Sequence, residues 1–87
     1  MLFKPGTIVA TPGALELAEQ GLDLLAYLQR HLKGDWGDLC QEDKAENNFS
    51  LRSGFRLLSS YNTPLGKLWI ITEADRSATT FLLPDEY

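Results

Sequence analysis

The C-terminal third of the chain contains three apolar segments separated by two short polar ones, and this pattern limits the fold more than any other feature. Strand-type residues occupy 55–61, 67–72 and 78–83, with the polar segments NTPLG and EADRS between them. Turns of this length join neighbouring antiparallel strands. The sequence therefore predicts a three-stranded antiparallel meander that ends at Pro84.

Signals for one strand and two helices precede the meander. The β-branched run TIVA at 7–10 predicts a short strand, which we expect to join the sheet at an edge or beside a meander strand. Thr11 followed by Pro12 favours the start of a helix that ends at Gly21. A second helix is predicted over 22–34, because its apolar residues recur at helical spacing.

A third helix is predicted over 39–49, where amphipathic spacing is weak. Asp38 and Gln41 stand three positions apart, as the two polar members of a capping box do. The element order is then β-α-α-(α)-β-β-β, with two to three helices packed on one face of a small sheet. Because 87 residues suffice for one domain, we expect a single α+β domain over 1–87.

The net charge of −4 is concentrated in the segment 34–48, which has five acids and one lysine. Affinity for nucleic acids depends on neutralising phosphates, so direct binding of DNA or RNA is not expected. An acidic surface that meets a basic protein partner is consistent with this charge. The candidate partner-binding residues are Asp35, Trp36, Asp38, Glu42, Asp43 and Glu46.

Cys40 is the only cysteine, so the chain forms no intramolecular disulfide and no cysteine-based zinc site. The N-terminal residues lack an apolar core of signal-peptide length, and no apolar run is long enough to span a membrane. We therefore expect a cytoplasmic protein with no metal and no cofactor. Since a chain of this size has a small core, a homodimer is also plausible.

The stretch TEADRSATT, 72–80, holds the densest set of reactive side chains, and two interpretations of it stay open. Glu73, Asp75 and Arg76 could form a catalytic site for a phosphate-bearing substrate, with carboxylates for proton transfer and a guanidinium for the phosphate. Alternatively, the segment is a turn in which Asp75 bonds backbone amides and Arg76 pairs with Glu73.

His31 and Trp36 each admit a functional and a structural interpretation. His31 is the only histidine and could act as a general base oriented by Asp35. It also shares a helical face with Leu24 and Leu28, which favours a hydrogen-bonded packing residue. Trp36, within GDWG, could form the rim of a ligand site or fill the gap between two helices.

Three segments resemble a family of small bacterial proteins encoded on plasmids and other mobile elements. They are TPGAL, GDWGDL and LWIITEADRSATTFLLPDEY. Members of that family are labelled "plasmid-related protein" or, in some cases, type I restriction endonuclease subunit M. A methyltransferase subunit needs a nucleotide-cofactor fold that 87 residues do not hold, so the second label cannot be literal. The resemblance implies a small self-standing protein and assigns no active residues.

The sequence favours a cytoplasmic accessory protein of a mobile element that acts by binding another macromolecule, most simply a protein. One alternative is a small enzyme acting on a phosphate-bearing or nucleotide-like substrate through Glu73, Asp75, Arg76 and His31. A second alternative is an acidic mimic of DNA that inhibits a host defence or restriction complex.

Overall fold

Four strands form one mixed sheet, and three helices accompany it. The computed structural model describes all 87 residues and confirms the α+β class. No helix in it combines the length and the apolar composition that crossing a membrane requires. The elements in chain order are β1 (Thr7–Ala10), α1 (Pro12–Glu19), α2 (Leu24–Leu32), α3 (Gln41–Ser53), β2 (Leu57–Thr63), β3 (Gly66–Thr72), β4 (Ala78–Leu82) and a final 3-10 turn (Pro84–Glu86).

The sheet has the order β1-β4-β3-β2. Strand β3 pairs antiparallel with both β2 and β4, whereas β1 pairs parallel with β4. The predicted antiparallel pairing of three consecutive strands is present, but the sheet is four-stranded and mixed rather than a three-stranded meander, because β1 adds parallel to β4. Turn signals report hairpins between consecutive strands, and they carry no information about pairing between strands from opposite ends of the chain.

Alternation along the strands gives the sheet two different faces. The helix-covered face packs against α1 and α2. The core there consists of Ala14, Leu17, Leu28, Tyr61, Leu68, Ile70 and Phe81. The opposite, tail-covered face is met by the C-terminal residues, and the ring of Tyr87 stands edge-on to Trp69 with 5.9 Å between centroids.

The ends of α1 and α2 follow from their capping residues. Thr11 accepts a hydrogen bond from the N–H of Ala14 at 3.3 Å, which confirms the predicted start of α1. Helix α2 begins at Leu24 rather than at 22, because the carboxylate of Asp23 caps the N–H of Ala26 at 3.2 Å.

Helix α3 differs from its prediction at both ends. The predicted capping box of Asp38 and Gln41 is not formed, because the residue before the helix is Cys40, which makes no side-chain cap. Asp38 instead accepts a hydrogen bond from the backbone N–H of Asn62 at 2.7 Å. The helix continues past 49 and ends at Gly54, which adopts a left-handed conformation with φ of 75°.

The outer edge of β2 is closed by residues that lie outside the sheet. The backbone N–H of Ser60 donates to the Trp36 carbonyl at 3.1 Å, and the Ser60 carbonyl accepts from the Asp38 N–H at 2.6 Å. Gly37 sits opposite Ser60 with φ of 79°, and a side chain there would overlap the strand. This close approach of the two backbones explains the second glycine of GDWG, Gly37.

Candidate functional site

His31 lies at the centre of a buried polar chain on the helix-covered face of the sheet. Its Nδ1 is 2.5 Å from the Ser59 hydroxyl and its Nε2 is 2.9 Å from the Thr72 hydroxyl. The Thr72 hydroxyl is 2.7 Å from that of Thr79, which donates to the Pro5 carbonyl at 2.8 Å. The imidazole and the three hydroxyl-bearing residues of this series are fully buried.

The Pro5 carbonyl ends this series of hydrogen bonds and fixes the direction of every bond in it, because a carbonyl can only accept. Because Thr79 donates to Pro5, its oxygen accepts from Thr72. Thr72 in turn accepts from Nε2–H of His31, and the unprotonated Nδ1 accepts from Ser59. The imidazole is therefore held in one neutral tautomer.

Burial lowers the pKa of His31 to about 4, so the ring is neutral at physiological pH. It lines neither of the two surface depressions of the protein. Phe3 and Trp36 meet it edge-on, with ring centroids 5.2 and 5.6 Å away. The structure thus places His31 as a hydrogen-bonded packing residue rather than beside a substrate site.

The segment EADRS forms the turn between β3 and β4, and Arg76 anchors that turn to α3. Its guanidinium donates to the carbonyls of Phe55 at 2.8 Å, Glu73 at 3.0 Å and Ala74 at 3.1 Å. It also donates to the Ser50 carbonyl in the last turn of α3 at 3.1 Å. The predicted pairing of Arg76 with the Glu73 carboxylate is wrong, since the only ion pair in the chain joins Arg30 and Asp35.

The other two candidates in this turn are separate from each other. Asp75 accepts from the N–H of Ser77 at 2.9 Å, as an aspartate in a turn does. Glu73 borders a depression on the tail-covered face, where neither Asp75 nor Arg76 is found. Glu73, Asp75, Arg76 and His31 therefore do not converge on one cavity.

Three of the six candidate partner-binding residues serve the fold. Trp36 is buried, and its Nε1–H donates to the Asn48 side chain at 3.1 Å. Asp35 pairs with Arg30 at 2.7 Å, and hydrogen bonding to that guanidinium lowers the pKa of Asp35. Asp38 holds the edge of β2, as described above.

The remaining three candidates, Glu42, Asp43 and Glu46, line a groove between α3 and β2. The groove has a volume of about 360 Å³. All three carboxylates are exposed, and none forms an ion pair within the chain. The remaining lining residues are Leu39, Asn47, Ser50, Arg56 and Leu58.

Asn47 is a buried lining residue of this groove and connects its two sides. Its side chain donates to the Leu58 carbonyl at 2.6 Å and accepts from the Leu58 N–H at 3.1 Å. The amide thereby replaces a neighbouring strand at this point of the edge, and it holds α3 against β2. The groove is consequently built on a helix and a strand rather than on a mobile loop.

Arg56 separates the groove from a second depression of about 240 Å³ on the tail-covered face. Its guanidinium bonds to the Tyr87 hydroxyl and lies 5.1 Å from the centre of that ring. Ile71 and Leu82 form the apolar part of the second depression, and Glu73 and Glu86 lie at its border. One arginine thus stands between an acidic groove and a partly apolar hollow.

Sequence reasoning singled out neither Asn47 nor Arg56. A single asparagine in a polar helix has no pattern that predicts a bond to a strand edge. Arg56 follows Phe55 at the start of a predicted strand, and its position between two depressions depends on the C-terminal residues, which are distant in sequence. Across the whole structure, no group of three or more His, Cys, Asp or Glu residues is arranged to hold a metal ion.

No family model, curated protein or solved structure matches the chain. The candidate site therefore rests on the geometry of the groove between α3 and β2.

Proposed function

We propose that this protein is a binding protein whose groove between α3 and β2 receives a basic segment of another protein. The observation that carries the proposal is the set of three exposed carboxylates, Glu42, Asp43 and Glu46, which line one groove and have no ion-pair partner within the chain. Other acids of the chain, such as Asp35, Asp38 and Glu86, are engaged in internal contacts.

The shape of the groove supports a short segment as its occupant. A volume of about 360 Å³ is at the small end of the range for ligand pockets, which suits one or two long side chains. Arginine matches this chemistry, because its planar guanidinium can bond two carboxylate oxygens at once. Glu42 and Glu46 lie one helical turn apart and can be contacted together.

An extended partner could in principle add to the edge of β2 as another strand. At Leu58, however, both backbone groups are already bonded by the side chain of Asn47. Backbone pairing at that position is therefore blocked. The proposed partner consequently binds through its side chains, with charge as the main source of attraction.

The two alternatives have less support. An enzyme would need Glu73, Asp75, Arg76 and His31 to act on one substrate, yet they lie apart in the structure. A mimic of DNA would need a longer row of free charges. Of the five acids in 34–48, Asp35 and Asp38 are held by internal contacts.

The resemblance of TPGAL, GDWGDL and the C-terminal stretch to plasmid-encoded proteins supports a further part of the proposal. We place the protein among the accessory proteins of mobile elements that act inside the cell. Its target is then a protein with an exposed basic segment.

The test is a titration of the isotopically labelled protein with an arginine-containing peptide, followed by amide chemical shifts. We expect the largest shifts in α3 and near Arg56 and Leu58, with smaller shifts for a lysine peptide of equal charge. The triple variant Glu42→Gln/Asp43→Asn/Glu46→Gln should lose these shifts. Shifts of equal size spread over the whole surface, or unchanged in the variant, would contradict the proposal.

A further inference from the structure

Strand β1 leaves one edge of the sheet without hydrogen-bond partners. The backbone N–H of Thr7 donates to the Ser77 carbonyl, and that of Thr11 donates to the Phe81 carbonyl, each at 3.0 Å. In a parallel ladder, alternate residues bond to the same neighbour, so the backbone groups of Ile8 and Ala10 point away from β4. No other strand pairs with this edge, and no hydrogen bond outside the helices and the sheet involves the backbone of Ile8 or Ala10.

This open edge contrasts with the other edge of the same sheet. On β2, the outward N–H and C=O groups of Leu58 are bonded by Asn47, and those of Ser60 by Trp36 and Asp38. Proteins generally protect edge strands with such contacts, or with charge, proline or bulges. Within Thr7–Ala10 only the shortness of the strand, four residues, serves this purpose, since the segment contains no charge, proline or bulge.

The side chains of β1 also favour contact with another strand. Ile8 is 44% exposed and Val9 is 43% exposed. They point to opposite faces of the sheet, so an added strand would cover both of them. β-Branched residues pack well in cross-strand pairs, and the strand carries no charge that would oppose pairing.

We propose that β1 pairs antiparallel with β1 of a second copy, so that the two sheets become one continuous sheet. The symmetric register places Val9 on the two-fold axis and Ile8 opposite Ala10 of the other copy. In this register the outward N–H and C=O groups of Ile8 and Ala10 bond to each other across the axis. The interface is isologous, since each copy contributes the same surface.

The distribution of charge supports a second copy rather than an unrelated strand. Lys4 precedes β1, whereas the carboxylate of Glu86 lies at its other end, bonded to Thr11 at 2.6 Å and to the N–H of Gly13 at 2.9 Å. Antiparallel pairing brings the Lys4 end of each copy towards the Glu86 end of the other. Strand β2 lies about 14 Å from β1, at three strand spacings, and the exposed acids of α3 lie farther away, beyond β2.

The first test is the mass of the full chain in solution by sedimentation equilibrium. We expect a concentration-dependent dimer, and Val9→Lys should raise its dissociation constant about tenfold or more, because two lysines would face each other on the axis. Leu25→Lys is the matched control, since it adds the same charge at a 61% exposed position on α2. A wild-type chain that stays monomeric at all concentrations overturns the proposal, as does an equal effect of both variants.

The second test checks the register in a chain whose own cysteine is removed by Cys40→Ser. The two Val9 residues form a non-hydrogen-bonded pair with Cα atoms about 4.5 Å apart, which a disulfide can bridge. Val9→Cys should therefore form a covalent dimer on oxidation. Thr7→Cys should not, because each Thr7 faces position 11 of the other copy. Equal cross-linking of both variants, or none with Val9→Cys, overturns the register. Both tests are independent of the groove on α3.

Discussion

Asn47 and Leu58 are joined by two hydrogen bonds that tie a helix to the edge of a sheet. The side-chain amide donates to the carbonyl at 2.6 Å and accepts from the N–H at 3.1 Å. Because the same asparagine lines the acidic groove, the stability of the edge and the shape of the candidate site depend on one residue. A carboxylate in its place would keep the acceptor and lose the donor.

Asn47→Asp is expected to lower the free energy of unfolding by about 1–3 kcal/mol, because the Leu58 carbonyl loses its partner and a charge is added beside three acids. Asn48→Asp is the matched control. Asn48 only accepts a hydrogen bond, from Nε1–H of Trp36, and a carboxylate can still accept it. Urea unfolding of both variants measures the difference. Equal losses would show that the amide of Asn47 has no special role.

The buried imidazole of His31 predicts a loss of stability in mild acid. Its pKa is about 4 in the folded protein and about 6.5 when unfolded, so the unfolded chain binds the extra proton between these values. The free energy of unfolding is therefore unaffected by this group above pH 6.5, and it decreases as the pH falls from 6.5 towards 4. The decrease amounts to roughly 2 kcal/mol by pH 5 and roughly 3 kcal/mol in total.

Two measurements check the histidine. Urea unfolding at a series of pH values should show the decline to begin near pH 6.5. Nitrogen chemical shifts of the single imidazole should report the Nε2–H tautomer and no titration above about pH 5. Asp35 and Glu86 have lowered pKa values because of hydrogen bonds from Arg30 and Thr11, so their contributions are lost only at lower pH. An imidazole that titrates near 6.5 would contradict its burial.

Arg76→Ala should destabilise the protein by about 2 kcal/mol, because four backbone carbonyls lose a charged donor. Glu73→Gln should change stability little, since the Glu73 carboxylate does not pair with the guanidinium. Thermal or urea unfolding measures both. A large loss of stability in Glu73→Gln would indicate that Glu73 pairs with Arg76, as the sequence suggested.

The backbone of Arg76 permits a finer test. Arg76 is the only residue other than glycine with a positive φ, at 61°. Arg76→Gly removes the same side chain as Arg76→Ala but relieves the left-handed conformation, which is worth about 1 kcal/mol. The glycine variant should therefore be the more stable of the two by this amount. An alanine variant as stable as the glycine variant would show that the turn relaxes.

Local signals in the sequence predicted what local contacts decide. Thr11 and Pro12 start α1, and the polar segment EADRS is a turn, because capping and turn formation involve only a few neighbouring residues. The helical spacing of His31 with Leu28 also indicated its inward position. These features required no knowledge of the remaining chain.

Contacts between distant segments could not be predicted in the same way. Strand β1 pairs with β4 from the other end of the chain, and no property of TIVA indicates that partner. Asp38 matched a capping box, but the edge of β2 offered it the Asn62 N–H instead. For Arg76, the sequence offered a nearby carboxylate, whereas the fold offered the Ser50 carbonyl in the last turn of α3 and the Phe55 carbonyl just beyond it.

The acidic segment shows the same limit for the candidate site. Composition identified 34–48 as a charged surface, but it could not separate Asp35 and Asp38, which stabilise the fold, from the three acids that face the groove. That separation depends on where the chain places its internal donors. The proposed site is consequently smaller than the one the sequence suggested.

The most direct measurement of the central claim is the affinity of a captured protein partner for two variants of equal charge. Glu42→Gln/Asp43→Asn/Glu46→Gln removes the carboxylates of the groove, and Glu16→Gln/Glu19→Gln/Asp85→Asn removes three exposed acids elsewhere. Circular dichroism confirms that both variants fold. We predict that the groove variant loses affinity by about tenfold or more while the control stays near wild type. Equal losses, or no loss in the groove variant, would contradict the account.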